Sequence, residues 1–203
     1  MAHSYSTDSP ERRYIPFFIA GAAIGAAFIA SHLIDAYHIR VPWWASLPID
    51  TMALYGIFFG LFDNFIWKWS LLRRFSIVRI PCLSGTWRGE VRPSDTPGIS
   101  SGLRVPTEIT ITIRQSWTSI LITGRTQQSS SRSLSGNLLT ADECSLSYEY
   151  VNEPTVSAPG TMHSHHGVAR LSLNKEDTVL QGEYYSGRDR QNIGTIGVSR
   201  SEP

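Results

Sequence analysis

The sequence is poor in residues that build disulfide frameworks or metal sites. Its 203 residues include two cysteines, Cys82 and Cys144, too few for a disulfide framework and too far apart for a CxxC metal site. Free thiols in a reducing compartment are therefore expected. The chain also lacks a phosphate-binding P-loop and a GxGxxG dinucleotide fingerprint, so neither pattern points to a nucleotide cofactor. We expect a protein that is not an enzyme and needs no cofactor.

Charge is also scarce and nearly balanced. Residues 1–80 contain seven Lys and Arg against five Asp and Glu, and residues 81–203 contain eleven against twelve. Proteins that bind DNA or RNA polymers normally present a basic face, so the second part does not suggest such a partner. A small anionic ligand held by a few arginines remains compatible with this balance.

What the sequence does contain is two long apolar runs before residue 81. Ile15–Ile34 has 20 residues, enough to cross a hydrocarbon core of about 30 Å as a helix. Basic residues precede it, so a secretory signal peptide is the competing interpretation. The length of the run and a second apolar segment, Ile49–Trp69, favour a membrane helix. Asp63 lies in the second segment, either near the head-groups or in a helix contact or pore.

The basic residues predict the orientation of this helical hairpin. They flank the first helix on its amino-terminal side and the second on its carboxy-terminal side: Arg12, Arg13, Lys68, Arg73, Arg74 and Arg79. The positive-inside rule then places both termini in the cytoplasm of a multi-pass protein in the bacterial inner membrane. We predict an amino-terminal cytoplasmic tail (1–13), two transmembrane helices with a short outer loop (14–80) and a cytosolic domain (81–203).

Each apolar run carries a pair of glycines four residues apart. Such pairs let membrane helices approach closely. They could pack the hairpin on itself, or they could join chains into a homo-oligomer, which is the use we prefer. The candidate oligomerisation residues are Gly21, Gly25, Gly56 and Gly60.

Beyond Pro81 the sequence changes to short alternating segments bounded by turn residues. In Glu108–Arg114, for example, three isoleucines share one face and threonines the other. Eight antiparallel strands are predicted in about 120 residues, which suits a closed barrel able to hold one small ligand; a two-sheet sandwich is the alternative. The predicted strands are 84–92, 107–114, 117–125, 129–139, 144–151, 167–173, 178–186 and 193–200.

Three clusters in this domain have chemical potential. Gly85–Gly89 places Trp87 beside Arg88, a pair that could stack on a base and bind a phosphate or simply close the barrel end. Gly182–Gly194 gathers tyrosines, arginines and an asparagine around a turn. His163–His166 contains three histidines, but no further ligands at convincing spacing accompany them, so no metal site is predicted.

The order of these features resembles a known family. Two membrane helices, then Leu83-Ser-Gly-Thr-Trp-Arg-Gly-Glu90, then strands ending in Gly182-Glu-Tyr-Tyr-Ser-Gly-Arg188, resemble the two-transmembrane, β-strand-rich effectors of bacterial CBASS anti-phage systems. The resemblance covers nearly the whole chain after the first ten residues. It implies a CD-NTase-associated membrane effector whose β-barrel binds a cyclic dinucleotide, after which the protein self-associates in the bilayer, compromises the inner membrane and causes abortive infection.

The ligand-binding residues are proposed from chemistry. Aromatic rings would stack on the bases, guanidinium groups would pair with the phosphates, and an asparagine would read base edges. The candidates are Trp87, Arg88, Arg114, Tyr148, Tyr150, Tyr184, Arg188 and Asn192. A membrane-tethered, lipocalin-like carrier or scaffold for an apolar ligand is the main alternative function, and a hydrolase that uses the histidines is a third.

Overall fold

The chain folds into two compact units. The computed structural model describes residues 1–38, 47–94, 106–141, 143–156, 158, 163–187 and 192–201. One unit contains Met1–Ser9 together with Ile80–Pro203, and the other is Pro10–Arg79. The first nine residues, expected to be part of a separate tail, therefore belong to the same unit as the β-domain.

The helical unit is built on one long apolar helix. Helix α1 spans Glu11–Ala36, helix α2 spans Leu47–Asn64, and a 3-10 turn at Ile66–Lys68 precedes the short helix α3, Ser70–Arg74. The buried face of α1 repeats every four residues through Ile15, Ile19, Ala23 and Ala27, the spacing of neighbours on one side of a helix. The buried carboxylate of Glu11 accepts a hydrogen bond from the backbone N–H of Arg79 (2.7 Å), which joins the two ends of the unit.

Among the described helices, α1 alone is both long and apolar enough to be a candidate membrane span. The second predicted span corresponds to α2, which has 18 residues. The structure therefore supports the amino-terminal apolar helix and does not by itself establish a hairpin of two transmembrane helices. Helix α2 is shorter than the 26 residues of α1 and contains two aspartates, Asp50 and Asp63.

The four glycines of the helices do not pack the hairpin on itself. Within the part of the chain that the structure describes, a Cβ atom added at Gly21, Gly25, Gly56 or Gly60 would meet nothing within 4 Å. The α1 residues that are buried lie on another face of the helix. The small-residue surfaces are thus open in the single chain.

The β-domain is a closed antiparallel barrel of eight strands. Alternating burial along each strand, with apolar side chains inside, drives its closure. The strands are β3 (Gly85–Pro93), β4 (Thr107–Gln115), β5 (Ser119–Arg125), β6 (Ser129–Leu139), β7 (Ser145–Pro154), β8 (His165–Leu173), β9 (Val179–Ser186) and β10 (Ile193–Arg200). They are ordered β5-β4-β3-β10-β9-β8-β7-β6, and a β5–β6 pairing closes the ring. The predicted barrel is confirmed, and the sandwich is excluded because that pairing leaves a single continuous sheet.

Two further strands of two residues each come from the amino terminus. Strand β1 (His3–Ser4) pairs antiparallel with β5, and strand β2 (Ser6–Thr7) pairs parallel with β6. They lie where β5 and β6 no longer pair directly, because the β5–β6 ladder covers only Thr123–Arg125 and Ser130–Arg132. We refer to Met1–Ser9 as the amino-terminal segment.

The interior of the barrel is filled at one end only. Large side chains pack there with less than 2% of their surface exposed, among them Trp87, Trp117, Ile113, Ile120 and Leu138. Burying side chains of this size supplies most of the stability of a small barrel, at about 1.5–3 kcal/mol for each aliphatic group. The other end is open, and the candidate site lies there.

Candidate functional site

A cavity of about 200 Å³ occupies the open end of the barrel. Three tyrosine rings and many short polar side chains line it, with a few apolar groups at its floor and rim. The lining residues are Val91, Pro93, Thr107, Ile109, Thr126, Gln128, Ser129, Ser131, Tyr148, Tyr150, Asn152, His165, Tyr184, Ser186, Asn192 and Ile196. They come from strands β3, β4, β6, β7, β8, β9 and β10 and from the segments between β5 and β6 and between β9 and β10, so barrel closure is what brings them together.

Two of the tyrosine rings are held over glycines in neighbouring strands. Tyr150 pairs with Gly167 across β7 and β8, and Tyr184 pairs with Gly194 across β9 and β10. A Cβ atom at Gly167 would lie 2.4 Å from the Tyr150 ring, and one at Gly194 would lie 2.5 Å from the Tyr184 ring. Each ring therefore occupies the space that any larger side chain on the facing strand would need.

Tyr148 is an uncharged donor at the floor of the cavity. Burial, and then the neighbouring Tyr150 hydroxyl, raise the pKa of Tyr148 well above its ordinary value. The two rings are 6.1 Å apart between centroids and tilted by 52°, within the range of favourable aromatic pairs. Tyr148 thus remains a neutral phenol at physiological pH and does not repel an anion.

His165 brings a second kind of polar group to the cavity. Its Nδ1 lies 3.1 Å from the carbonyl oxygen of His163. Because a carbonyl can only accept, Nδ1 carries the proton of the neutral ring, and Nε2 is then an acceptor. Its neighbour His166 is exposed and lies 3.8 Å from the carboxylate of Glu149.

At the rim, three hydrogen bonds with Ser186 hold the backbone of Asn192 just before the last strand. The backbone N–H of Asn192 donates to the Ser186 hydroxyl (2.8 Å), and that hydroxyl lies 3.1 Å from the Asn192 carbonyl oxygen. The backbone N–H of Ser186 also donates to this carbonyl (2.8 Å). The amide of Asn192 is therefore presented from a fixed backbone, as a residue that reads a ligand by hydrogen bonds requires.

The comparisons with known proteins give this cavity a family context. Residues 78–200 match the family model described as Cap15, cyclic dinucleotide receptor domain, and residues 13–68 match the one described as Cap15, TM helices. The chain belongs to the Cap15 family. It is also 28% identical to CD-NTase-associated protein 15 of Yersinia aleksiciae, over 94% of this chain and 90% of that protein. The resemblance to the CBASS-associated effectors is confirmed, and the cavity lies within the part that matches the Cap15 receptor domain.

Half of the predicted ligand-binding residues lie together at the Cap15 cavity. Tyr148, Tyr150, Tyr184 and Asn192 all line it, and their role in binding stays a prediction. Strand alternation placed Tyr148 and Tyr150 on one face, and barrel closure turns that face inward. Arg188 lies outside the described residues.

Three of the other predicted residues, Trp87, Arg88 and Arg114, do not line the cavity. Arg88 and Arg114 are exposed on the outer face of the barrel. Trp87 is fully buried at the filled end, and its Nε1–H donates to the Leu83 carbonyl (3.0 Å). The Arg200 guanidinium lies 4.5 Å from the Trp87 ring centroid. Trp87 therefore closes the barrel, and a buried ring with a satisfied N–H offers no surface to a ligand.

No lysine or arginine of the described residues lines the cavity. The polar side chains of the described lining are hydroxyl, amide and imidazole groups. Sequence reasoning missed several of these, including Ser129, Ser131, Asn152 and His165. The period of two along β7 places Asn152 on the face of Tyr148 and Tyr150, so alternation could have found that residue. His165 had no such signal, because its strand was expected to begin only at residue 167.

One short segment matches the spacing of a hydrolase nucleophile motif. Gly98-Ile-Ser-Ser-Gly102 matches GxSxG and lies outside the described residues. A nucleophile elbow needs a sharp turn from a strand into a helix, whereas this segment joins β3 to β4, which are adjacent antiparallel strands. The match therefore carries no argument for a hydrolase.

Proposed function

We propose that this protein is a cyclic-dinucleotide-gated membrane effector of a bacterial CBASS anti-phage system. The observation that carries the proposal is the half-filled barrel, whose open end combines tyrosine rings with hydroxyl and amide groups. Flat rings suit the bases of a nucleotide. Neutral polar groups suit base edges and phosphate oxygens. The same residues match a cyclic dinucleotide receptor domain.

The polar lining disfavours a carrier of apolar ligands. An apolar ligand would cover groups such as Asn152, Ser131 and Gln128 without replacing the hydrogen bonds they make to water. Polar groups buried in this way cost about 1–3 kcal/mol each. A cyclic dinucleotide can satisfy them. We propose further that the barrel is a receptor that releases its ligand unchanged, not an enzyme.

The chain path supports two membrane crossings. The segments before and after the helical unit, Met1–Ser9 and Ile80–Pro203, belong to one compact unit. If α1 spans the bilayer, this chain path favours a second crossing that returns the chain to the same side. Helix α1 would make the first, and α2, about 27 Å long at 1.5 Å per residue, would make the second. The basic flanks support a cytoplasmic location for the barrel and both termini.

Self-association of the helices is the proposed output. The open surfaces at Gly21, Gly25, Gly56 and Gly60 permit close contact with the helices of other chains. Ligand can drive such assembly only by binding the assembled state more tightly than the resting one. Assembly in the inner membrane would then disrupt the bilayer and end the infection abortively.

Calorimetry with the full chain in lipid nanodiscs tests the receptor. A cyclic dinucleotide should bind with a measurable heat, and mass spectrometry should recover it chemically unchanged. Tyr150→Ala should weaken binding by about fivefold or more, since a base–aromatic stack contributes about 1–3 kcal/mol. Glu149→Gln is the matched control, because Glu149 precedes Tyr150 on β7 and faces solvent. No binding of any cyclic dinucleotide would refute the proposal.

A second experiment tests the output. Liposomes that contain the full chain should release a trapped dye when the cyclic dinucleotide that binds in calorimetry is added. Chemical cross-linking should then show larger assemblies. A protein that binds the ligand yet neither assembles nor causes leakage would be a receptor with another output.

A further inference from the structure

The amino-terminal segment fills a gap in the wall of the barrel. Strands β5 and β6 pair directly over only three positions, next to the cavity, whereas the other neighbouring strands pair over six or more. Beyond a bulge between Ser133 and Ser135, strands β1 and β2 lie between them. The β5–β6 seam is therefore the weakest line of hydrogen bonds around the barrel.

Side-chain hydrogen bonds hold the segment in this seam. His3 Nε2 lies 2.7 Å from the Ser133 hydroxyl, which also accepts the backbone N–H of Ile122 (3.0 Å). At the other end, the Asp8 carboxylate accepts the N–H groups of Thr140 (2.8 Å) and Ala141 (3.0 Å). The backbone ladders add only two residues each on β5 and β6. Water can replace these exposed bonds, so detachment of the segment costs chiefly the exposure of the buried Tyr5 side chain.

The buried side chain of Gln115 bonds both to the amino-terminal segment and to Pro81 and Leu83, in the second stretch of chain that joins the barrel to the helices. Its Oε1 accepts the backbone N–H of Leu83 (2.7 Å), and its Nε2 donates to the Pro81 carbonyl and the Tyr5 hydroxyl (both 3.3 Å). Because Leu83 N–H can only donate and Pro81 C=O can only accept, the amide orientation is fixed. Both chain segments that lead to the membrane helices therefore meet at one residue of the barrel.

The cavity is smaller than its proposed ligand requires. Pockets that enclose drug-sized ligands usually measure about 300–1,000 Å³, and this one measures about 200 Å³. A cyclic dinucleotide, with two bases and two phosphates, must widen the barrel or remain partly outside it. Two of the lining residues, Ser129 and Ser131, are on β6 beside the seam. Widening is easiest where the fewest hydrogen bonds must break.

We infer that the amino-terminal segment is a displaceable strand: a ligand in the cavity separates β5 from β6, expels Met1–Ser9 from the seam, and so releases the start of α1. The inference rests on the proposed cyclic dinucleotide receptor. It gives the barrel a second connection to the membrane helices, because residue 10 follows the segment directly and α1 begins at Glu11. A released segment no longer holds the start of α1 to the barrel, which leaves that helix able to reorient for assembly.

A disulfide across the seam tests this. Ser4 and Ser119 are partners in the β1–β5 ladder, and Cα atoms of such partners lie about 4.5–5.5 Å apart, within the range of a disulfide. The variant is Ser4→Cys/Ser119→Cys in a full chain with Cys82→Ser and Cys144→Ser. Glu149→Cys/Val168→Cys is the matched control, since these exposed partners join β7 to β8 and leave the segment free.

We call the Ser4→Cys/Ser119→Cys variant the clamp. When its disulfide is oxidised, ligand-induced dye release from liposomes should fall at least tenfold, and reduction of the disulfide should restore the release. The control pair should release dye in both redox states. Equal release by the oxidised and reduced clamp would overturn the inference.

Hydrogen exchange gives a readout that does not depend on leakage. The amides of residues 3–8 should exchange at least tenfold faster when the cyclic dinucleotide is bound to the unclamped protein. Unchanged exchange with calorimetrically proven binding would refute the displaceable strand alone, whereas absent binding would refute the receptor and this inference together.

Discussion

Replacing Gly167 with alanine tests whether the tyrosine rings of the cavity recognise the bases. An ideal Cβ atom at this position would lie 2.4 Å from the Tyr150 ring and 2.7 Å from the Tyr185 carbonyl oxygen. Neither contact is tolerable, and the backbone oxygen is held in a strand. We therefore expect the Tyr150 ring to move into the cavity, at an over-packing cost of about 1–3 kcal/mol in the free energy of unfolding.

The same movement should remove one stacking surface for the ligand. Loss of a base–aromatic stack costs about 1–3 kcal/mol, which corresponds to an affinity reduced by about 5- to 150-fold. The cavity of about 200 Å³ also has little spare room for a displaced ring, so the effect should lie toward the larger value.

Titration calorimetry of the full chain with a cyclic dinucleotide measures the affinity, and urea denaturation measures the stability. The matched control is Gly197→Ala, because a Cβ atom there would meet nothing within 4 Å and the residue faces solvent on β10. The control should leave both quantities within experimental error of the parent. If Gly167→Ala destabilises the barrel as expected but binds the ligand with unchanged affinity, the bases do not stack on Tyr150.

Three further predictions concern Gln115 in the barrel, the amino-terminal segment and the helices. Gln115→Met should lower the free energy of unfolding by about 2–5 kcal/mol, because it leaves the buried hydrogen-bond partners of Gln115 unsatisfied. The control is Gln181→Met, at an exposed position. Equal stability of the two variants would show that the hydrogen bonds of Gln115 do not stabilise the barrel. Hydrogen bonds from Thr140 and Ala141 outweigh the opposing effect of burial and lower the pKa of Asp8. Asp8 should thus stabilise the fold above its unfolded pKa of about 3.9, by less than about 1 kcal/mol because it is exposed. This contribution should be lost as the pH falls through the lowered pKa, and Asp8→Asn should abolish that part of the pH dependence in urea melts. Gly21→Leu should prevent cross-linking and dye release while ligand affinity stays unchanged. Gly21→Ala is the control, because alanine still lets helices approach closely. Undiminished assembly of Gly21→Leu would exclude this surface.

The strands of the barrel could be predicted closely from the sequence, because their signal is local. The alternation of isoleucine and threonine in Glu108–Arg114 predicted a strand at 107–114, and the structure has β4 at Thr107–Gln115. All eight barrel strands were predicted within a few residues of their observed bounds. The period of two also placed Tyr148 and Tyr150 on one face, which holds for any sheet that contains this strand.

The candidate site could be predicted only in part, because membership of the cavity depends on barrel closure. Sequence alone did not show that Trp87 lies at the filled end, since its partner Arg200 is distant in the chain. Arg88 and Arg114 have suitable chemistry for a phosphate but project outward. Asn152 and His165 enter the cavity only when β7 and β8 pair and the ring closes.

The sequence by itself determined the succession of an apolar helical part and a β-rich part, the strand positions and the family resemblance, since each depends on residues near one another in the chain. Tertiary structure alone decided where Met1–Ser9 goes. Its two strands of two residues have no periodic pattern of their own, and they form because β5 and β6 diverge and leave backbone groups that need partners. A gap between two strands far along the chain, rather than any local preference, makes the amino terminus part of the barrel.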